Sequence, residues 1–160
     1  MLMKSKIALL VVCAVLLAGC SSRQKLDMPL QPLDASAKRL TLDQMKGKVV
    51  LIDFWATYCG PCHMAMPSFE HLYRQYKDRG LIVLGITAED RETVVKFLAS
   101  NPTPIDYPIL LDNLGSVNRE FNVTNIPYAV LLGKNGDVLD TVTGYPMDVA
   151  KLSREIEDAL

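Results

Sequence analysis

Cys59 and Cys62 are separated by Gly60-Pro61 and follow directly on an apolar run, Val49-Val50-Leu51-Ile52-Asp53-Phe54. A segment with helical spacing comes next. A thiol at a helix N-terminus meets unpaired N–H groups and the positive end of the helix dipole, and both favour the thiolate. Cys59 is therefore expected to be a nucleophile near neutral pH. Cys62, one turn further on, is placed to attack the mixed disulfide that Cys59 forms and so to release a bound substrate. Pro61 suits a first helical turn, where its missing N–H would have no partner.

Two other uses of the pair have to be weighed. A structural zinc site takes about four ligands, and the only histidines are His63 and His71. No metal is expected, and no cofactor. Cys59-Gly60-Pro61-Cys62-His63 also fits C-x-x-C-H, the attachment pattern of c-type haem. A haem electron carrier is one alternative to a dithiol enzyme. A non-catalytic module binding metal or cysteine-bearing peptides is another. A nearby imidazolium at His63 would stabilise a thiolate.

Asp53 lies between Ile52 and Phe54 in an otherwise apolar strand. A buried carboxylate is costly unless it is paired or protonated. Glu89 opens an acidic stretch, Glu89-Asp90-Arg91-Glu92, at a predicted helix start, where acids are favoured in any case.

The flanks carry more information than the pair alone. Gly47 to Ala56, the Cys-Gly-Pro-Cys site, Met66-Pro67, Tyr107 to Asp112, Asn125-Ile126-Pro127 and Gly133 to Asp137 occur in an order that resembles the thioredoxin superfamily, and within it the exported TlpA/ResA-like reductases. The resemblance spans roughly residues 40–160. It implies catalytic roles for Cys59 and Cys62, with Asp53 and Glu89 handling protons. It implies a cis peptide at Ile126-Pro127 facing the cysteines, where backbone is open to an extended substrate. Trp55 and Tyr58 are read as packing around the site and binding substrate, Trp55 partly at its rim, with plain core the alternative, and Gly144 as allowing close backbone approach. Two positions depart from the family pattern: Asp53 stands where many TlpA/ResA-like proteins have asparagine, and Tyr128 where a small hydroxyl residue is common. The resemblance also implies partners: a disulfide-containing envelope protein as substrate and a membrane-embedded dithiol as electron donor, with the protein monomeric.

Those residues need a scaffold. Leu40 to Lys46 reads as a short turn or single helical turn, and Val49 to Ala56 as a strand buried on both faces. Gly60 to Asp78 reads as a helix with Met64, Phe69, Leu72, Tyr73 and Tyr76 inward, kinked at Pro67. Leu81 to Thr87 is a second buried strand. Arg91 to Ser100 is a helix with Val94, Val95 and Leu98 on one face. Asn101-Pro102-Thr103-Pro104 is a rigid loop, Tyr107 to Leu111 a short strand or extended segment, and Ser116 to Phe121 a short helix. Tyr128 to Leu132 and Val138 to Val142 form a hairpin across an Asn-Gly turn, and Pro146 to Leu160 a last helix. This order gives an α/β three-layer sandwich, a mixed sheet flanked by helices. The stretch from Thr87 to Ser116 supplies the extra helix and strand typical of the TlpA/ResA group.

The N-terminus reads differently. Lys4 and Lys6 precede a short apolar stretch, Ile7 to Ala18, the length of a signal sequence and short for a membrane span. Leu17-Ala18-Gly19-Cys20 resembles the lipobox of bacterial lipoproteins, which implies cleavage before Cys20 and lipid on its sulfur. The expected organisation is a signal peptide over 1–19, a lipidated cysteine and tether over 20–36, and a thioredoxin-like domain over 37–160. Without Lys4 and Lys6, the mature chain would keep 15 of its 17 basic side chains against 18 acidic ones, with no basic stripe for nucleic acid. It would be held in the bacterial envelope, at the inner or the outer membrane, facing the periplasm or extracytoplasmic space.

Overall fold

The computed structural model describes residues 30–160. Cys13, Cys20 and the expected signal peptide over 1–19 lie outside the described residues. Within them, a six-stranded mixed sheet runs through the molecule. Its strands are β1 (Gln31–Pro32), β2 (Val49–Phe54), β3 (Leu81–Thr87), β4 (Ile109–Leu111), β5 (Tyr128–Leu132) and β6 (Val138–Thr143), in the order β1-β4-β3-β2-β5-β6. β2, β3 and β4 are parallel to one another, while β1, β5 and β6 run antiparallel to their neighbours.

Alternation along β2 divides the interior in two. Val49 and Leu51 face a core built with α1 (Gly60–Tyr76), Val94 of α2 (Arg91–Ser100), and Leu152 and Ile156 of α4 (Val149–Ala159). Val50, Ile52 and Phe54 face the opposite core, with a 3-10 turn at Leu42–Met45 and Val117 of α3 (Ser116–Glu120). β2 is buried at all six positions, which is why it reads as an apolar run broken only by Asp53. The three-layer sandwich is the expected one, and α2 and β4 occupy the inserted stretch.

Several boundaries differ from expectation. The fold begins before residue 37: Leu30 is buried and bridges Leu40, and Gln31–Pro32 pairs with Leu110 and Leu111. Tyr107 precedes β4 rather than opening it, because Pro108 has no N–H to give a ladder. α4 starts at Val149, where Asp148 accepts a hydrogen bond from Lys151 N and caps the helix. On α1 the inward residues are Ala65, Met66, Phe69, Leu72 and Tyr76, and Met64 is exposed. On α2, Val94 points in and Val95 out. α1 runs as one element through Pro67.

Candidate active site

Cys59 is the N-cap of α1, and its Sγ accepts a hydrogen bond from Cys62 N at 3.2 Å. The two cysteines form a disulfide with Cα atoms 5.2 Å apart. Cys59 keeps 7% of its surface exposed and Cys62 only 1%. The outer sulfur is thus at the mouth of the helix and the inner one in the core, as the spacing predicts for a turn that begins at Gly60-Pro61.

The loop that delivers Cys59 is clamped from the end of β3. Both oxygens of Glu89 bind Thr57, Oε2 accepting from the backbone N and Oε1 from Oγ1, each at 2.6 Å. Thr87 Oγ1 also donates to Glu89. Expected as a proton-handling group, Glu89 has both carboxylate oxygens committed to a loop. Charge-assisted bonds of this kind are among the stronger ones.

Trp55 borders a groove at the site but is almost wholly enclosed. It is 2% exposed, and its indole packs on Phe97 at 5.5 Å between ring centroids. Gly85 makes the room: a Cβ there would lie 3.0 Å from Trp55 Nε1 and 2.5 Å from Ile109 Cδ1. Tyr58, expected to pack, is 81% exposed beside Cys59. His63 is half-buried and its ring packs on Phe97 at 4.5 Å.

The Ile126-Pro127 peptide is cis, and Pro127 is buried. Its carbonyl accepts a hydrogen bond from Gly144 N at 2.9 Å. Gly144 is needed for its φ of +75°, not for close approach, since a Cβ there would meet nothing within 4 Å. A groove of about 190 Å³ runs past this loop, lined by Tyr58, Glu89, Asn118, Thr124, Asn125 and Ile126 among others.

Asp53 is 1% exposed. Alternation puts it on the face of β2 shared by Val49 and Leu51, the face that carries α1 and both cysteines. Burial pushes its carboxyl up to about 7, against the opposing pull of a hydrogen bond from Tyr107. That bond runs from the phenol to Oδ2 at 3.2 Å, and Oδ1 has no partner. A carboxyl that gains and loses a proton near neutrality is suited to general acid–base work. Sequence reasoning finds Asp53 but not Tyr107, which lies 54 positions away with no local signal of its own.

Among the described residues, no group of three or more histidine, cysteine, aspartate and glutamate side chains could hold a metal ion. The haem alternative fits this geometry poorly: Cys62 is enclosed in the core and His63 is packed on Phe97.

The family model described as Redoxin matches residues 24–156. Thioredoxin-like protein YneN of Bacillus subtilis is 35% identical over 76% of this chain and 71% of its own length. Thiol-disulfide oxidoreductase ResA of Bacillus thuringiensis is 30% identical over 69% of this chain, and the chain spans 64% of that protein's length. The crystal structure of StoA from Bacillus subtilis superposes with a TM-score of 0.65 at 23% identity, over 80% of this chain and 94% of that one. That likeness carries the fold alone.

Proposed function

The chain belongs to the Redoxin family, and on that footing we propose that it is a thiol–disulfide oxidoreductase of the cell envelope, reducing disulfides of envelope proteins. The observation that carries this reading is the pair itself, with one sulfur at the helix mouth and its partner enclosed one turn inside. The likeness to a protein named thiol-disulfide oxidoreductase supports it.

In the reduced protein, the Cys59 thiolate attacks a substrate disulfide. A Cys59–substrate bond forms, the substrate disulfide breaks, and the departing substrate sulfur takes up a proton. Cys62 then gives its proton to Asp53 and attacks Cys59 Sγ. The second substrate sulfur leaves as a thiolate and takes up a proton, Asp53 gives up the one it accepted, and the Cys59–Cys62 disulfide remains. Two electrons have passed to the substrate, and a dithiol donor must return them. We assign Ile126 and Pro127 to backbone pairing with the substrate, the exposed Tyr58 to contact with it, Trp55 to support of the site from beneath, and Glu89 to holding the Thr57 loop.

Limiting iodoacetamide near neutral pH, followed by peptide mapping, tests the roles. Cys59 is expected to take most of the label, because Cys62 is enclosed. Preferential labelling of Cys62 would reverse the assignment.

We place the protein on the membrane by lipid at Cys20, with its catalytic domain exported. Among the described residues no helix is long and apolar enough to cross a membrane. Because Leu30 is fixed in the fold, the ten residues from Cys20 to Leu30 reach at most about 35 Å. Fractionation of wild type and Cys20→Ala is the check: wild type should sediment with membranes and the variant should not, and identical soluble behaviour of both would remove the anchor.

A further inference from the structure

Asp53 has small neighbours on both sides. Across the sheet it faces Gly85 on β3 and Ala129 on β5, neither of which offers a side-chain hydrogen bond. Its one oxygen with a partner is Oδ2, which accepts from the Tyr107 hydroxyl; Oδ1 is buried and has none. A carboxylate so placed is free to rotate about its own bond unless something holds it.

Tyr107 is itself held. Its ring is 2% exposed and meets Tyr73 edge-on at 6.4 Å between centroids. The preceding residue is fixed to α1, with Asp106 N donating to Glu70 Oε2 at 2.8 Å and Arg74 spanning Glu70 and Asp106. On the far side Gly85 admits the ring, since a Cβ there would sit 3.1 Å from Tyr107 Cε2. Pro108 follows and limits the backbone. The phenol is therefore delivered to Asp53 by a braced segment.

We propose that Tyr107 is a positioning residue for the second half of the exchange: its hydroxyl fixes the Asp53 carboxylate through Oδ2 and leaves Oδ1 to take the proton of Cys62. This rests on the thiol–disulfide reading given above. Cys59 and Cys62 of α1 lie on the sheet face that Asp53 shares with Val49 and Leu51, and Tyr107 reaches Asp53 from the segment before β4. Behind Tyr107 stand Tyr73 and Glu70, the latter paired with Arg74, while His63 packs on Phe97. β3 and β5 bring Gly85 and Ala129 to Asp53, and neither titrates. A donor to Oδ2 favours the ionised carboxylate against the cost of burial, so its removal raises the pH at which Asp53 becomes a base.

The test uses the full-length protein with Cys13→Ser and Cys20→Ser, so that only Cys59 and Cys62 react. One equivalent of 5,5′-dithiobis(2-nitrobenzoic acid) releases a first thiolate when Cys59 attacks and a second when Cys62 resolves the mixed disulfide. In Tyr107→Phe the first phase should keep its rate. The acid limb of the second phase should move up by about one pH unit, roughly tenfold slower on that limb. In an Asp53→Asn background the same substitution should shift nothing. Superimposable second-phase profiles for wild type and Tyr107→Phe would overturn the proposal, as would a shift that persists in the Asp53→Asn background. Carbon-13 NMR titration of the Asp53 carboxyl in oxidised Tyr107→Phe gives a second readout, with a higher midpoint expected and an unchanged one contradicting. Failure of wild type to release a second equivalent is a different result, and would overturn the exchange reading itself.

Discussion

Asp53→Asn is expected to raise stability at pH 8 by up to about 4 kcal/mol and to leave it nearly unchanged below about pH 4. The folded carboxyl is pushed up to about 7 from an ordinary 3.8 by burial. Below both values the group is protonated in the folded and unfolded chain alike, and no penalty exists. Between them the unfolded chain ionises while the folded one keeps its proton, so wild-type stability falls as pH rises. Above about 7 both forms are ionised and the full penalty persists. Asparagine is neutral throughout, so the gap between the two proteins should open from about pH 4 to pH 7 and then level off. Urea unfolding of both oxidised proteins across this range measures it. A gap independent of pH would mean that Asp53 is not raised. The same substitution should slow resolution by Cys62 by about 100-fold, the lower end of what a positioned general base contributes, while formation of the mixed disulfide is spared.

The two cysteines should fail in different ways. Cys59→Ser removes the only sulfur at the helix mouth, and insulin-disulfide reduction should fall by at least about 10³-fold, because a serine hydroxyl ionises far outside the working range. Cys62→Ser keeps the nucleophile and its helix terminus. Its first step should run near the wild-type rate, and turnover should stop at the mixed disulfide. Equal loss of the first step in both variants would place the nucleophile wrongly.

Some of this is legible in the chain and some is not. β2 and the start of α1 are plain because a doubly buried strand has no polar alternation to confuse it, and because Gly60-Pro61 suits a first turn. Asp53 is visible for the same reason, as a charge inside that run. β1 is not visible: two residues, one of them proline, have no period to read. They become a strand only by meeting Leu110 and Leu111, about 80 positions away. The partner of Asp53 is hidden likewise, since nothing near Tyr107 signals a hydroxyl aimed at a carboxylate 54 residues earlier. How deeply Trp55 is held is hidden as well, because the slot that buries it is made by Gly85 and Phe97, from two other elements. The clamp made by Glu89 is hidden too, because its spacing says nothing of Thr57, which engages both its oxygens.

The most direct measurement is capture of the exchange intermediate. Reduced Cys62→Ser protein, expressed at full length in a bacterial host, is quenched with acid and separated without reductant. Mass spectrometry should find an envelope protein disulfide-linked to Cys59, and reductant should release it. An exported, folded Cys62→Ser protein that forms no Cys59-linked adduct, either with envelope proteins or with an added peptide disulfide, would contradict the account.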